Sequence, residues 1–215
     1  MTKVSTEELV CPECGLEQLF TVYDSVNVTL CPDFKKQLKD GDLTAFTCDA
    51  CGYQMEVVYP FLYHDMDDKL MIWMNPDDQF DPNGIGNEQT FFGTLQDDAY
   101  RYRIVSTREE LVEKIFIFDD DLDDKPLEML KYYIRETHLG RDDDPVQTIL
   151  YYGGRGVFED EGDVIFINKW SGPDQKSFRL PMEKYWQIKN EYTDDYPGPT
   201  EVAGRWQRVD ENYFK

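Results

Sequence analysis

"CPECG", residues 11–15, decides the fold of this chain, because the same arrangement recurs as "CDACG" at residues 48–52. Each copy separates two cysteines by two residues and places a glycine after the second. A tight turn of this kind points both sulfurs at one ion, and glycine accepts the positive φ needed just after the second cysteine. Four thiolates form the closed tetrahedral ligand set of structural zinc. The two motifs therefore predict a structural Zn²⁺ site whose ligands are Cys11, Cys14, Cys48 and Cys51.

Two other interpretations use the same cysteines. A single CxxC that opens a helix after a strand suggests a thioredoxin-like redox motif. Here both copies carry the trailing glycine and neither is followed by a helical pattern, which favours a metal. An iron or iron–sulfur centre remains a further alternative, because it takes the same thiolate ligands. The fifth cysteine, Cys31, has no second thiol nearby; we interpret it as a small buried apolar residue, with a spare ligand or a reactive thiol as alternatives.

The chain between and after the two motifs predicts an elaborated ribbon. Residues 19–30 are rich in β-forming side chains and predict one long strand or a bent pair of strands. Residues 32–41 predict a short helix that begins at Pro32 and ends at Gly41. Residues 53–64, "YQMEVVYPFLYH", predict a strand that leaves the second motif.

Four segments together resemble the bacterial CpXC-domain family: "CPECG", "YDSVNVTLCPDFKKQLKDGDLTAFTCDACG", "VVYPFLYHD" and "YRIVSTREELVEKIFIFDDDLDDKPLEMLKYYI". The resemblance covers roughly residues 8–134, and "ELVEKIFIFDDDLDDKPLEMLK" is its most distinctive part, since cysteine knuckles are generic among zinc ribbons. The family takes its name from a Cys-Pro-x-Cys motif and has no established activity. The resemblance implies that the same four cysteines bind metal, and it implies no catalytic residue. Asp49 departs from the pattern, because a proline is common there.

The charge balance limits the classes of partner. The chain has 22 basic and 44 acidic residues, a net charge of −22. Residues 1–75 contain five lysines, no arginine and 13 acidic side chains, so direct binding of nucleic acid by the ribbon is disfavoured. The same charge disfavours anionic lipid. It attracts a protein with a basic surface, or serves only solubility.

Neither a membrane span nor a signal peptide is predicted. No apolar run reaches the roughly 20 residues of a membrane helix, and the amino terminus lacks the apolar stretch of a signal peptide. We therefore expect a cytoplasmic protein whose cysteines are reduced thiols.

Three further patterns resemble known kinds of site. The acidic run at residues 119–124 lacks the glycine and the final glutamate of an EF-hand, so it predicts a solvated loop that caps a helix, with a looser cation-binding or partner-binding site as the alternative. "GGRG", residues 153–156, lacks the Lys-Ser/Thr pair of a phosphate-binding loop and predicts a hairpin turn. His64 beside Asp65 could act as a general base if the carboxylate fixes its tautomer, although a structural role is favoured.

The remaining pattern predicts two central helices and a strand-rich end. "YRIVST" predicts a strand, and Ser106 or Thr107 caps the helix that follows. Asp123 or Asp124 caps a second helix that His138 and Gly140 close. Beyond these helices, residues 148–152 and 163–170 predict strands, while residues 185–192 fit a strand or a helix.

Together these observations predict an α+β protein with three regions. Residues 1–75 form the zinc-ribbon subdomain, residues 76–140 a loop and two helices that complete a CpXC-like domain, and residues 141–215 a β-rich region. The leading functional hypothesis is a non-catalytic, zinc-binding adaptor whose acidic surface contacts a basic protein. The alternatives are an enzyme that uses carboxylates and His64 in a cleft, and an acidic mimic of nucleic acid that binds a DNA- or RNA-binding protein.

Overall fold

The structure is a computed structural model that describes residues 2–77, 97, 99–138, 150–156, 162–168, 176–195, 204–210 and 213. Within this part the protein is α+β, as predicted, with four helices and three sheets. The chain divides into two compact units. Unit 1 comprises Met1–Arg108 with Ala203–Gln207, and unit 2 comprises Glu109–Val202 with Arg208–Lys215. The three-region division along the chain remains a prediction.

The elements follow one another in a mixed order. The strands are β1 (Lys3–Val10), β2 (Glu17–Asn27), β3 (Ala45–Thr47), β4 (Gln54–Glu56), β5 (Phe61–Asp65), β6 (Leu70–Met74), β7 (Arg101–Val105), β8 (Tyr151–Gly156), β9 (Asp163–Ile167), β10 (Ser177–Pro181) and β11 (Trp206–Gln207). The helices are α1 (Asp33–Asp40), α2 (Arg108–Asp119), α3 (Asp124–His138) and α4 (Met182–Asp195). No helix in the described ranges is long and apolar enough to cross a membrane.

Unit 1 contains a six-stranded mixed sheet in the order β1-β2-β5-β6-β7-β11. β1 and β2 form a long antiparallel hairpin, and only the end of β2, Ser25–Asn27, pairs with β5. β11 is contributed by a distant part of the chain and pairs in parallel with β7. There the buried Trp206 packs edge-on against Tyr102, with ring centroids 5.0 Å apart.

Helix α1 has the predicted ends. Pro32 precedes its first turn, where its missing N–H and fixed φ suit a helix start. Gly41 ends the helix with a φ of 86°, and the N–H groups of Gly41 and Asp42 donate to the carbonyls of Leu38 and Gln37. Leu38 is fully buried and anchors the helix on unit 1.

Unit 2 contains three helices and an antiparallel sheet in the order β10-β9-β8. Residues 185–192, for which the sequence fitted a strand or a helix, are helical because they lie within α4. Helix α4 packs against α3 and the sheet. Helix α3 buries Leu127, Leu130 and Ile134. It ends at His138, whereas Gly140 lies outside the described residues.

Residues 53–64 differ from their prediction, since they form two strands rather than one. β4 pairs with β3, and β5 enters the six-stranded sheet. The Val57 N–H donates to the Thr44 carbonyl at 2.8 Å just after β4, and Pro60, which has no N–H to donate to a ladder, precedes β5. The chain thus changes sheets between two apolar runs that read as continuous in sequence.

"GGRG" is strand rather than turn, which corrects its prediction. All four residues lie in β8, where the register shifts between Tyr152 and Gly154. Gly154 has a φ of 113°, and a Cβ on Gly153 would meet the Ile167 side chain at 3.1 Å. The glycines therefore serve a bulge and a close strand contact.

Two smaller expectations also change. Cys31 is exposed rather than buried.

Within the acidic run, Asp119 and Asp121 are exposed and the Asp123 carboxylate accepts the Lys125 N–H at 3.1 Å, which agrees with a capping loop. Asp124 differs, because it is fully buried. Of the loop predicted at the start of residues 76–140, residues 78–96 and 98 lie outside the described part.

Candidate metal centre

The first cysteine motif forms a tight turn between β1 and β2. The Cys11 N–H donates to the Leu16 carbonyl at 2.8 Å, and the Gly15 N–H donates to the Cys11 carbonyl at 2.9 Å. Gly15 adopts a φ of 74°. This left-handed conformation lets the chain reverse directly after Cys14, as the sequence predicted.

The second motif repeats this turn between β3 and β4. The Cys48 N–H donates to the Tyr53 carbonyl at 2.8 Å, the Gly52 N–H donates to the Cys48 carbonyl at 2.9 Å, and Gly52 has a φ of 72°. The two turns agree to within 0.1 Å and a few degrees. They are therefore two copies of one structural unit, which we call the knuckles.

The knuckles bring the four predicted sulfurs together. All four Sγ atoms lie within 4.8 Å of one another. The closest pairs join one knuckle to the other, with Cys11 Sγ 3.7 Å from Cys51 Sγ and Cys14 Sγ 3.5 Å from Cys48 Sγ. A disulfide would require about 2.05 Å, and all four cysteines are free. A tetrahedron of sulfurs at about 2.3 Å from a central ion has edges of roughly 3.8 Å. The cluster can therefore hold one metal ion.

The cluster is half buried. Cys11 and Cys48, the first cysteine of each knuckle, are each 1% exposed and pack with Phe20 and Phe46. Cys14 and Cys51, the second cysteines, are exposed. The apolar contacts of Cys11 and Cys48 thus hold the two turns in place, while Cys14 and Cys51 face solvent.

The thiols differ in acidity because backbone amides and neighbouring sulfurs act on them unequally. The backbone N–H of Cys51 lowers the pKa of Cys48 to about 6 against the effect of desolvation. The N–H of Tyr53 lowers the pKa of Cys51, but desolvation and the three neighbouring thiols outweigh it and raise that pKa to about 12. Four thiols this close do not ionise together without a cation, and a metal ion supplies that charge.

Gln18, in β2, binds the backbone on both sides of Cys48 and could not be identified from the sequence. Its side-chain amide donates to the Thr47 carbonyl at 3.0 Å, and its side-chain oxygen accepts the Asp49 N–H at 3.0 Å. Both partners flank Cys48. A glutamine in a strand gives no sequence signal for such a bridge, because the bridge depends on how two distant hairpins meet.

His64 and Asp65 do not form the acid–base pair that was the alternative to a structural role for His64. They are neighbours in β5, and successive side chains of a strand point to opposite faces. His64 Nε2 lies 3.2 Å from the Tyr100 hydroxyl, and Nδ1 lies 3.4 Å from the Asn27 amide nitrogen. Asp65 instead accepts hydrogen bonds from the Lys35 ammonium and the Asp67 N–H. His64 is thus oriented by Asn27 and Tyr100.

Carboxylates converge elsewhere, in unit 2, where they are paired with lysines. Lys131 lies 2.7 Å from Glu113 and 2.8 Å from Glu128, and Lys114 lies 3.0 Å from Asp124 and 3.5 Å from Glu128. All five side chains are buried. We call them the buried ion network; it joins α2 to α3.

The buried ion network is also bonded to its surroundings. The Lys114 ammonium donates to the Val209 carbonyl at 2.6 Å, and the Tyr152 N–H donates to the Glu113 carboxylate. Desolvation raises the pKa of Glu113, while the Lys131 cation opposes that shift. The charged groups of the network thus have ion-pair or hydrogen-bond partners. We therefore assign the network a structural role, the positioning of the helices.

Comparison with known proteins identifies the family. The family model described as CpXC protein matches residues 9–131, more than half of the chain, and this range includes both knuckles and α2. The comparison with curated proteins gave no match, and neither did the comparison with solved structures. The resemblance drawn from the sequence motifs is confirmed: the chain belongs to the CpXC family.

Proposed function

We propose that this protein is a non-catalytic, zinc-binding adaptor that uses an acidic ribbon to bind a basic surface of another protein. The acidic ribbon is the pair of hairpins β1–β2 and β3–β4 with their knuckles, residues 3–27 and 45–56. The observation that carries the proposal is a set of exposed carboxylates with no ion-pair partner among the described residues: Glu7, Glu8, Glu13, Glu17 and Asp49.

The sequence around these carboxylates contains no compensating cation. Neither residues 4–34 nor residues 40–68 include a lysine or an arginine. The one basic residue of the ribbon, Lys3, is paired with Asp24 at 2.9 Å. Exposed charges of one sign attract a surface of the opposite sign and raise its association rate.

Zinc is the metal that best fits the cluster in this proposal. A four-sulfur tetrahedral set selects zinc or iron, and zinc is the usual ion of paired knuckles. All four positions are protein ligands, so no position stays open for a substrate or a reactive water. The ion therefore acts as a cross-link that fixes the acidic ribbon.

Metal analysis of the purified protein tests the zinc assignment. We expect one zinc per chain, and we expect Cys14→Ser to lower the zinc content sharply while Cys31→Ser leaves it unchanged. Cys31 is the matched control, because it is also an exposed cysteine but lies outside the cluster. Bound iron, or equal loss in both variants, would contradict the assignment.

Pull-down from a lysate of the source organism tests the partner. One variant neutralises the ribbon with Glu7→Gln, Glu8→Gln, Glu13→Gln and Glu17→Gln. A control variant changes the net charge equally in unit 2 with Asp121→Asn, Glu136→Gln, Glu183→Gln and Glu191→Gln, all of them exposed residues. We expect a basic protein to bind the wild type and the control and to be released by salt, and to bind the ribbon variant weakly.

The outcome separates the alternatives. If no partner associates in a salt-sensitive manner, the proposal fails. If the two variants lose the partner equally, net charge rather than the ribbon is responsible. If the captured partner is a nucleic-acid-binding protein that duplex DNA or RNA displaces, the protein is an acidic mimic.

A further inference from the structure

Strand β1 is an edge strand with one side open. It pairs with β2 from Val4 to Val10 in continuous antiparallel register, and no described strand pairs with its other side. Seven paired residues extend over roughly 24 Å at the usual rise per residue. Proteins commonly protect so long an edge with a covering element, a bulge, a proline or charged side chains. In β1 the charges of Glu7 and Glu8 are negative, so they repel an acidic edge but not a basic one. β1 has a register shift only at its start, between Lys3 and Val4.

The hydrogen-bond pattern shows which backbone groups face outward. The Cys11 N–H donates to the Leu16 carbonyl, so this pair is a hydrogen-bonded one. Hydrogen-bonded and non-hydrogen-bonded pairs alternate along an antiparallel ladder. Ser5, Glu7 and Leu9 therefore bond to β2. The alternate residues of β1 direct their N–H and C=O groups away from β2: Val4, Thr6, Glu8 and Val10.

The side chains along this edge combine apolar surface with negative charge. Val4 is 50% exposed and Val10 is 56% exposed, and Leu19, opposite Glu8 on the same face of the hairpin, is 74% exposed. Glu8 and Glu17 flank these apolar side chains, and Glu7 lies on the other face. Such an edge suits an incoming strand whose residues alternate between β-branched and basic.

We propose that β1 binds an extended, basic segment of a partner protein as an added strand next to β2. This proposal rests on the proposed function and specifies how the partner is held. The outward N–H and C=O groups supply the affinity through main-chain hydrogen bonds, and the carboxylates select lysine or arginine at alternate positions. Glu7 and Glu8 point to opposite faces, so basic residues on either face of the added strand meet a carboxylate.

A second copy of the chain fits this edge less well. In a dimer formed through this edge, Glu7 and Glu8 of both copies would lie in one ladder, and only Lys3 of each β1 would compensate their negative charge. Each molecule also carries a net charge of −22. Like charges directly opposite each other destabilise strand pairs. The charge therefore favours a basic partner.

Hydrogen exchange measured residue by residue by NMR tests the proposal. In the free protein, we expect the amides of Thr6 and Glu8 to exchange quickly and those of Glu7 and Leu9 slowly. The probe is a capped synthetic peptide of alternating valine and lysine, about eight residues long, enough to span β1. Saturating peptide should slow exchange at Thr6 and Glu8 by about tenfold or more. A peptide of alternating valine and glutamate should have no effect.

A proline substitution isolates the main-chain contribution. Thr6→Pro removes one outward N–H without removing a bond to β2, and proline is accepted on the open side of an edge strand. We expect it to weaken peptide binding about tenfold, whereas Thr6→Val should bind as the wild type does. Unchanged amide resonances outside β1 and β2 and unchanged zinc content show that the variant is folded.

The results separate this inference from the proposed function. Salt-sensitive partner binding that survives Thr6→Pro, or peptide binding that leaves the exchange of Thr6 and Glu8 unchanged, refutes the added strand and leaves the adaptor intact. Absence of any basic partner or bound peptide refutes both. Protection of Thr6 and Glu8 that rises with protein concentration, without peptide, shows that a second copy occupies the edge and overturns the proposal.

Discussion

At the scale of single residues, the glycines after each cysteine pair carry the most demanding backbone positions of the metal centre. Gly15 and Gly52 have φ values of 74° and 72°, and a Cβ at either position would meet nothing within 4 Å. The requirement for glycine is therefore conformational rather than steric. It comes from the left-handed φ that residues with a Cβ disfavour.

Substitution of Gly52 tests this cause. Gly52→Val should reduce the free energy of unfolding of the metal-loaded protein by about 1–2 kcal/mol, because of the left-handed φ. Gly52→Asn should cost less, since asparagine adopts this conformation more readily. Urea unfolding followed by circular dichroism measures both. Equal losses in the two variants would show that the cause is not the backbone conformation.

His64 should make stability depend on pH. Desolvation lowers its pKa below the usual value of 6.5. A lowered pKa in the folded state means that the His64 contribution is fully present above about pH 6.5 and is lost as the pH falls through that value towards the folded-state pKa. The wild type should therefore lose more stability than His64→Asn between about pH 7.5 and pH 5.5.

Urea midpoints of the two proteins across this pH range provide the measurement. The comparison with His64→Asn removes any contribution of thiol protonation, because both proteins keep the four cysteines. Parallel pH profiles would contradict a neutral, half-buried His64.

At the scale of elements, the pairing of α2 with α3 depends on the buried ion network. Lys131 lies between Glu113 and Glu128, and all three are almost completely buried. Charges removed from water are costly unless each keeps its partner. The helix pair is therefore specified by charge as well as by the apolar residues around it.

Removal of one member should be strongly destabilising. Lys131→Met should lower the free energy of unfolding by about 3–5 kcal/mol, because it removes the cation that Glu113 and Glu128 share in a buried site, where of these two carboxylates only Glu128 has Lys114 nearby, at 3.5 Å. Lys36→Met is the matched control, since Lys36 also pairs with a carboxylate, Asp40, but on the surface. It should change the urea midpoint little. Similar losses in the two variants would mean that the buried pairing is not the cause.

The same elements show how far the sequence determines the fold. The knuckles and α1 were predictable because local signals fix them: the cysteine spacing, the trailing glycines, Pro32 and Gly41. The clustering of four cysteines in the candidate site was predictable for the same reason. The contact of Gln18 with the second knuckle was not predictable, because it depends on how two distant hairpins meet.

Tertiary contacts decided the elements that the sequence did not predict correctly. The break between β4 and β5 and the bulge in β8 depend on which strand lies alongside, and a β-rich run has the same composition in either case. No pattern in the sequence indicates that charged residues of α2 and α3 are buried, yet five of them are buried together. Only the packing of the two helices places them face to face.

At the scale of the whole molecule, the net charge of −22 is the dominant property. A chain with twice as many acidic as basic residues repels itself in the compact state. Salt shortens the range of this repulsion to about 10 Å at 0.1 M. The unfolded chain is more expanded, so its charges interact less.

Added salt should therefore stabilise the metal-loaded protein. The urea midpoint should rise as NaCl is increased from about 0.02 M to 0.3 M. The rise should be smaller in the ribbon variant with Glu7, Glu8, Glu13 and Glu17 changed to glutamine, because its net charge is less negative. A midpoint that falls with salt would show that attractive surface pairs, such as Lys3 with Asp24, outweigh the repulsion.

The origin of β11 has a consequence for how the protein is made on the ribosome. β11 belongs to unit 1, but the whole chain of unit 2 up to Val202 is translated between it and β7. The roughly hundred residues in between take on the order of 5–20 s to synthesise at typical rates. For that interval β7 lacks its partner strand β11 and is an edge strand of the nascent sheet. The apolar surface that Trp206 later covers is exposed, and chaperones can recognise it.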